Sequence, residues 1–187
     1  MIGSKLRAGE KADIIVLPST AMAQLHEAGL IASTTRVELA RAVVGVAIKA
    51  GTKEPDITTP GALKAALLSV SKVAYTDPAG GSAVGTYVTG LLHRLTISDE
   101  KALLEPGGSA VAAAVAEGKA GIGMTFISEL LAYQGIKVVG PIPQAIGLVV
   151  GYEAAIPSGS TEVDAARALI GYLTGAAARD HFKRAGL

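Results

Sequence analysis

A chain of 187 residues, half of them apolar, has material for one sizeable core or two small ones. Its 17 basic and 16 acidic side chains are spread along the chain without a Lys/Arg cluster, so nucleic acid is not an expected partner. The absence of cysteine removes disulfides, thiolate chemistry and cysteine-ligated metals, and no apolar run approaches the ~20 residues that span a bilayer.

The first residues, Met1-Ile-Gly-Ser-Lys-Leu-Arg, lead into an amphipathic helix and carry no signal-peptide pattern, so if the protein is exported its signal is expected upstream of them. Ala12–Leu17 reads as a buried strand. Ser19 or Thr20 is suited to cap the next helix, with Met22 and Leu25 on one face and Gly29 at its C′ position. Arg41–Lys49 is a strand. Thr59-Pro60 is a helix start, an N-cap oxygen followed by proline at the first helical position, with Leu63, Leu67 and Val70 at helical spacing. Val73–Asp77 is a strand broken by Pro78–Gly81. From Ser82, the apolar positions Val84, Val88, Leu91, Leu92 and Leu95 give the clearest amphipathic helix of the chain. A strand near Lys101–Leu104, a Gly107-Gly108 turn and an alanine-rich helix to Glu117 follow. Ala120–Thr125 is a strand, Ser128–Tyr133 a short helix, Ile136–Val139 a strand, and Ala145–Tyr152 a long strand. Helices over Thr161–Leu173 and Ala176–Arg184 end the chain.

Short β-branched runs alternating with helices argue for α/β architecture with crossover helices. The long strands near 41–49 and 145–152 bracket a self-contained block. The expected organisation is therefore two α/β lobes, with the chain crossing out to build the second and crossing back. Residues 1–44 and 149–187 form an incomplete first lobe, and 45–148 form the second. An unpaired edge in the incomplete lobe leaves a homodimer through it open.

No constellation for catalysis emerges. His26, His93 and His181 lie far apart without acidic or histidine neighbours at ligand spacing, so no metal or other cofactor is expected. Ser69-Val-Ser-Lys72 matches an S-x-x-K pattern but reads as a helix C-terminus with a lysine suited to the dipole. Two segments stand out. In Asp77-Pro-Ala-Gly-Gly81-Ser82-Ala83-Val-Gly85 and in Glu105-Pro-Gly-Gly108-Ser109-Ala110, a strand ends, the backbone turns on glycine, and a helix begins. Such starts present unpaired N–H groups and the positive end of a dipole, which suits a small anion without need of Arg or Lys.

The order ADIIVLPSTAM, RVELARAVVGVAI, VAYTDPAGGSAVGTY, AEGKAGIGMTFISE and LIGYLTGAAARDHFKRAGL resembles the molybdate-type substrate-binding proteins of ABC transporters, over essentially the whole chain. The resemblance implies a type II periplasmic binding-protein fold, two Rossmann-like lobes joined by two hinge strands, with the first lobe lacking its N-terminal strands. It also implies a periplasmic location, a membrane permease as partner, and a small anion held between the lobes. Carried over by position, the ligand-binding residues are Gly81, Ser82, Ala83, Gly108, Ser109, and Met124 or Thr125. Members of the family often have a tyrosine where this chain has Met124 or Thr125, so a carboxylate is as compatible as an oxyanion such as molybdate. A second reading is the effector-binding domain of a LysR-type transcription regulator, which shares the fold. A third is an enzyme on the same fold, for which no polar catalytic constellation is visible.

Overall fold

The computed structural model describes residues 2–187, so Met1, the first residue of the expected first lobe, lies outside the described residues. In chain order the elements are α1 (Ile2–Arg7), β1 (Ile15–Pro18), α2 (Ser19–Glu27), β2 (Val37–Lys49), α3 (Pro60–Ser69), β3 (Val73–Thr76), α4 (Ala83–Arg94) and β4 (Ala102–Glu105). Then come α5 (Gly108–Ala116), β5 (Ile122–Phe126), α6 (Ile127–Leu131), β6 (Ile136–Pro141), β7 (Val149–Ala155), α7 (Val163–Leu173) and α8 (Ala176–Arg184). They divide into two compact units. One comprises the described residues up to Arg41 with Val150–Ala185 and Leu187, the other Ala42–Val149 with Gly186.

The larger unit is built on a mixed sheet. β3 pairs in parallel with β4 on one side and β5 on the other, while β2 pairs antiparallel with both β5 and β6. A register shift between Val46 and Ala47 bends β2 against β6. Because side chains alternate along a strand, each strand feeds two cores. Val73 and Tyr75 of β3, with Ile122 and Met124 of β5, pack among Leu63, Leu67, Val88 and Leu91 of α3 and α4. On the opposite face, Ala74 of β3 meets Val111, Ala114 and Val115 of α5. Gly123 of β5 shares that second face, and a Cβ there would stand 2.7 Å from Val115 Cγ2. The missing side chain is what lets α5 lie close on the sheet.

The smaller unit pairs β1 antiparallel with β7, Ile15 opposite Ala155 and Pro18 opposite Tyr152. Met22 and Leu25 of α2 cover Ile15 and Ala155 on one side. Ala166 and Ile170 of α7 pack with Ala154, Ile156, Val37 and Leu39 on the other.

Three local expectations change. The strand expected over Ala145–Tyr152 begins at Val149 instead, because Gln144–Ile146 forms a 3-10 turn behind Pro143, closed by Ile146 N–H on the Pro143 carbonyl at 2.9 Å. Proline presets φ for that turn, and an apolar run alone cannot show it. Ser19 does not cap α2: its hydroxyl donates to the Gly151 carbonyl at 3.1 Å, and the N-cap position is Pro18. β2 starts at Val37, earlier than the apolar run of Arg41–Lys49 suggests, since its first residues alternate with charge. Thr59 caps α3 by accepting from Ala62 N–H at 3.1 Å, and Gly29 takes positive φ, +67°, after α2.

Candidate functional site

All three parallel strands of the larger unit end at one edge of the sheet, and a helix starts from each end. Carboxyl edges of parallel strands are the usual ligand-binding edge of open α/β sheets, because the following helices aim their N-termini there. The ends of β3 and β4 are tied together by Asp77 N–H, which donates to the Glu105 carbonyl at 2.8 Å. The starts of α4 and α5 therefore follow neighbouring strand ends, α4 on the face of the sheet that it shares with α3 and α5 on the opposite face.

The α4 start is organised by its own loop. Asp77 Oδ1 accepts from Ala79 N–H at 2.8 Å, Gly81 adopts φ +79°, and Ser82 Oγ accepts from Gly85 N–H at 3.0 Å as N-cap. Accepting leaves the Ser82 hydroxyl proton free to be given elsewhere, since a hydroxyl both donates and accepts. Ala83 and the residue after it present first-turn N–H groups without intrahelical partners. A Cβ on Gly85 would collide with the Thr76 carbonyl oxygen and stand 2.9 Å from Pro78 N, so α4 rests directly on the end of β3.

The α5 start is different. Gly107 at its N-cap supplies no side-chain hydrogen bond, so the N–H groups of Gly108, Ser109 and Ala110 open on the same edge uncapped. Gly108 is buried and Ser109 exposed. A Cβ on Gly108 would collide with Glu129 Oε2 and Cδ and stand 2.9 Å from Glu129 Cβ. The Glu129 carboxylate thus lies over Gly108, at the positive end of α5, where a negative charge is favoured. Its hydrogen-bond donor is the hydroxyl of Thr125, a fully buried side chain. Among the described residues Glu129 has no ion-pair partner.

Of the residues proposed from the sequence, Gly81, Ser82, Ala83, Gly108 and Ser109 all lie at these two helix starts. Strand alternation separates the other two. Met124 is fully buried in the core shared with α3 and α4, while Thr125 points to the opposite face and reaches Glu129. Nothing in the sequence pattern singles out Glu129. The available signal is a threonine ending a buried strand, four residues before an acid on the helix that follows.

The other side chains that the sequence brings into question bond away from this edge. Ser69 donates to the Ala66 carbonyl at 2.7 Å and Lys72 to the Glu100 carbonyl at 2.6 Å, so the S-x-x-K serine and lysine both bond backbone. His93 Nε2 lies 2.8 Å from Asp99 Oδ1 on the surface. Among the described residues no group of three or more His, Asp or Glu is placed to hold a metal ion, and no helix is long and apolar enough to cross a membrane. In the smaller unit, Arg36 grips Glu153 with two nitrogens, Nη2 to Oε1 at 3.0 Å, and reaches the Ser19 carbonyl. The Arg36 hydrogen bond holds the Glu153 carboxyl below its ordinary pKa.

A family model described as bacterial extracellular solute-binding protein matches residues 2–187. The chain belongs to that family. It is similar to an aconitate isomerase from Pseudomonas sp., 34% identical over 190 residues, covering 100% of this chain and 71% of the relative. Among solved structures it is similar to the substrate-binding domain assigned to a molybdenum ABC transporter from Clostridium difficile, with a TM-score of 0.84, 21% identity, and coverage of 99% and 80% of the two chains. It also matches the periplasmic molybdate-binding protein of Azotobacter vinelandii, with a TM-score of 0.68, 18% identity, and coverage of 99% and 81%. These structural likenesses establish the type II periplasmic binding-protein fold, two α/β lobes joined by crossing strands.

Proposed function

We propose that this chain is the solute-binding component of a periplasmic ABC transporter and that its solute is a small anion bearing carboxylates. The observation that carries the reading is the pair of helix starts at the neighbouring carboxyl ends of β3 and β4. There, Ser82 Oγ–H and the first N–H groups of α4 and α5 can converge on anionic oxygens without a basic side chain. In this reading Gly81, Ser82, Ala83, Gly108 and Ser109 contact the solute, and Thr125 acts by holding Glu129. Met124 contributes packing. One feature favours a carboxylate over a metal oxyanion: the curated relative is named for an enzyme of aconitate, a tricarboxylate.

Thermal unfolding against aconitate, citrate, succinate, molybdate, tungstate and sulfate tests this. A ligand at about a hundred times its Kd adds roughly 2.7 kcal/mol, a rise of about 5–10 °C for a chain of this size. A rise with the carboxylates alone is expected. A rise with molybdate or tungstate alone would move the solute class to metal oxyanions, and no rise with any of them would remove the anion reading.

A second reading, isomerisation of the bound carboxylate, is favoured by the 34% identity to the isomerase. Proton NMR of cis- and trans-aconitate with and without the protein separates the two. Unchanged spectra over hours leave binding alone, and interconversion makes the chain an enzyme.

A further inference from the structure

We infer that Glu129 is a specificity-determining residue, selecting a carboxylate solute that also carries a hydroxyl donor. The inference rests on the proposed binding edge and concerns what that edge accepts. Thr125, buried and on the α5 side of β5, donates its hydroxyl to Glu129 and so fixes the carboxylate from beneath. Gly108, lacking a side chain, gives the same carboxylate room to lie over the first turn of α5. Glu129 is therefore positioned from two elements, although it sits on the exposed side of α6.

An ionised carboxylate is an acceptor only, with about four lone-pair sites, of which Thr125 fills one. A solute arriving at the uncapped N–H groups of α5 meets these remaining lone pairs beside it. Solutes without a hydroxyl, aconitate and succinate among the carboxylates and sulfate or molybdate among the oxyanions, set lone pair against lone pair there and are bound more weakly than a carboxylate that carries one. A solute whose carboxylate lies one or two carbons from a hydroxyl can place its charge on the N–H groups and donate the hydroxyl to Glu129. Hydrogen bonds to an ionised partner are about twice as strong as neutral ones.

Isothermal titration of the full chain with two matched pairs, malate against succinate and citrate against tricarballylate, reads this directly, because each pair differs by one hydroxyl. The wild-type protein is expected to bind the hydroxyl-bearing member of a pair at least about tenfold more tightly. In Glu129→Ala the preference is expected to shrink to within about threefold, and in Glu129→Gln succinate and sulfate are expected to gain affinity as the charge is removed. Unliganded melting temperatures of the variants within about 2 °C of wild type establish that both are folded. Equal binding within each pair by wild type, or a preference that survives in Glu129→Ala, overturns the role of Glu129 while leaving carboxylate binding intact. Binding of sulfate or molybdate with none of the four carboxylates overturns both this inference and the carboxylate reading.

Discussion

The starts of α4 and α5 follow neighbouring strand ends, yet they satisfy their N–H groups in opposite ways. At α4 the loop does the work locally, with Asp77 holding Ala79 N–H and Ser82 holding Gly85 N–H. At α5 the N-cap is a glycine with no side chain to offer, and the polar group that lies over the first turn comes from α6. A self-capped start has its shape fixed by a few adjacent residues. An uncapped start leaves donors to be met from outside, by Glu129 or by a solute. Stability should accordingly be concentrated at α4, and discrimination between solutes at α5.

The largest expected effect comes from Gly85→Ala. The added Cβ meets the Thr76 carbonyl oxygen and Pro78 N, both backbone, and neither can rotate away. Forcing α4 off the end of β3 is expected to cost about 3 kcal/mol, as overpacking of a well-filled contact does. Thermal unfolding should show a melting temperature lower by roughly 6–12 °C. A change under 2 °C would mean α4 does not bear on β3, and the contrast with α5 would fail. Next in size is Ser82→Ala, which removes the N-cap acceptor and should cost about 1 kcal/mol. Ser82→Thr, which keeps an acceptor, should recover most of it in the same melt.

That contrast also explains what the sequence could reveal. The α4 start is written within one stretch, Asp77 to Gly85, whose aspartate, glycines and serine each have a local backbone partner. Thr59-Pro60 at α3 is legible for the same reason. The short apolar runs of β3 and β5 reveal the strands, but both are buried on either face, so the pattern cannot choose between Met124 and Thr125 until the sheet order is known. Glu129 is out of reach because its partners, Thr125 on a strand and Gly108 on another helix, are set by tertiary packing. Ser19 misleads by the same rule. It has cap chemistry at a helix start, but the antiparallel pairing of β1 with β7 brings the Gly151 carbonyl within reach of its hydroxyl.

The start of α2 supplies a third case and a smaller effect. Its Ser19 carbonyl is approached by Arg36, which is held in turn by Glu153. Glu153→Gln should destabilise the chain less than Ser82→Ala, because the pair is partly open to solvent and therefore screened. The pH dependence gives it away. The folded-state pKa of Glu153 is depressed by Arg36, so its contribution is complete above the ordinary glutamate value of about 4.3 and fades as pH falls through the lower folded value. Melting curves of wild type and Glu153→Gln should therefore differ at pH 7 and converge in strong acid. A difference independent of pH would assign the effect to packing.

The smallest expected change in stability, and the sharpest test of the comparison, is Gly108→Ala. It adds the same single carbon to a helix start as Gly85→Ala does, but what it meets is the Glu129 side chain, whose carboxylate can swing outward toward solvent while its Cβ, 2.9 Å away, shifts by a few tenths of an ångström. Alanine is the better helix former by up to about 1 kcal/mol, which offsets the displacement and should leave stability within roughly 0.5 kcal/mol of wild type. Binding should respond where stability does not. With the carboxylate pushed off the α5 start, the ratio of citrate to tricarballylate affinity should fall at least about threefold, even if both ligands weaken. If instead Gly108→Ala melts as early as Gly85→Ala, then Glu129 is locked in place and α5 is as rigidly built as α4. If the melt is unchanged and the ratio is too, the carboxylate over Gly108 has no part in choosing the solute.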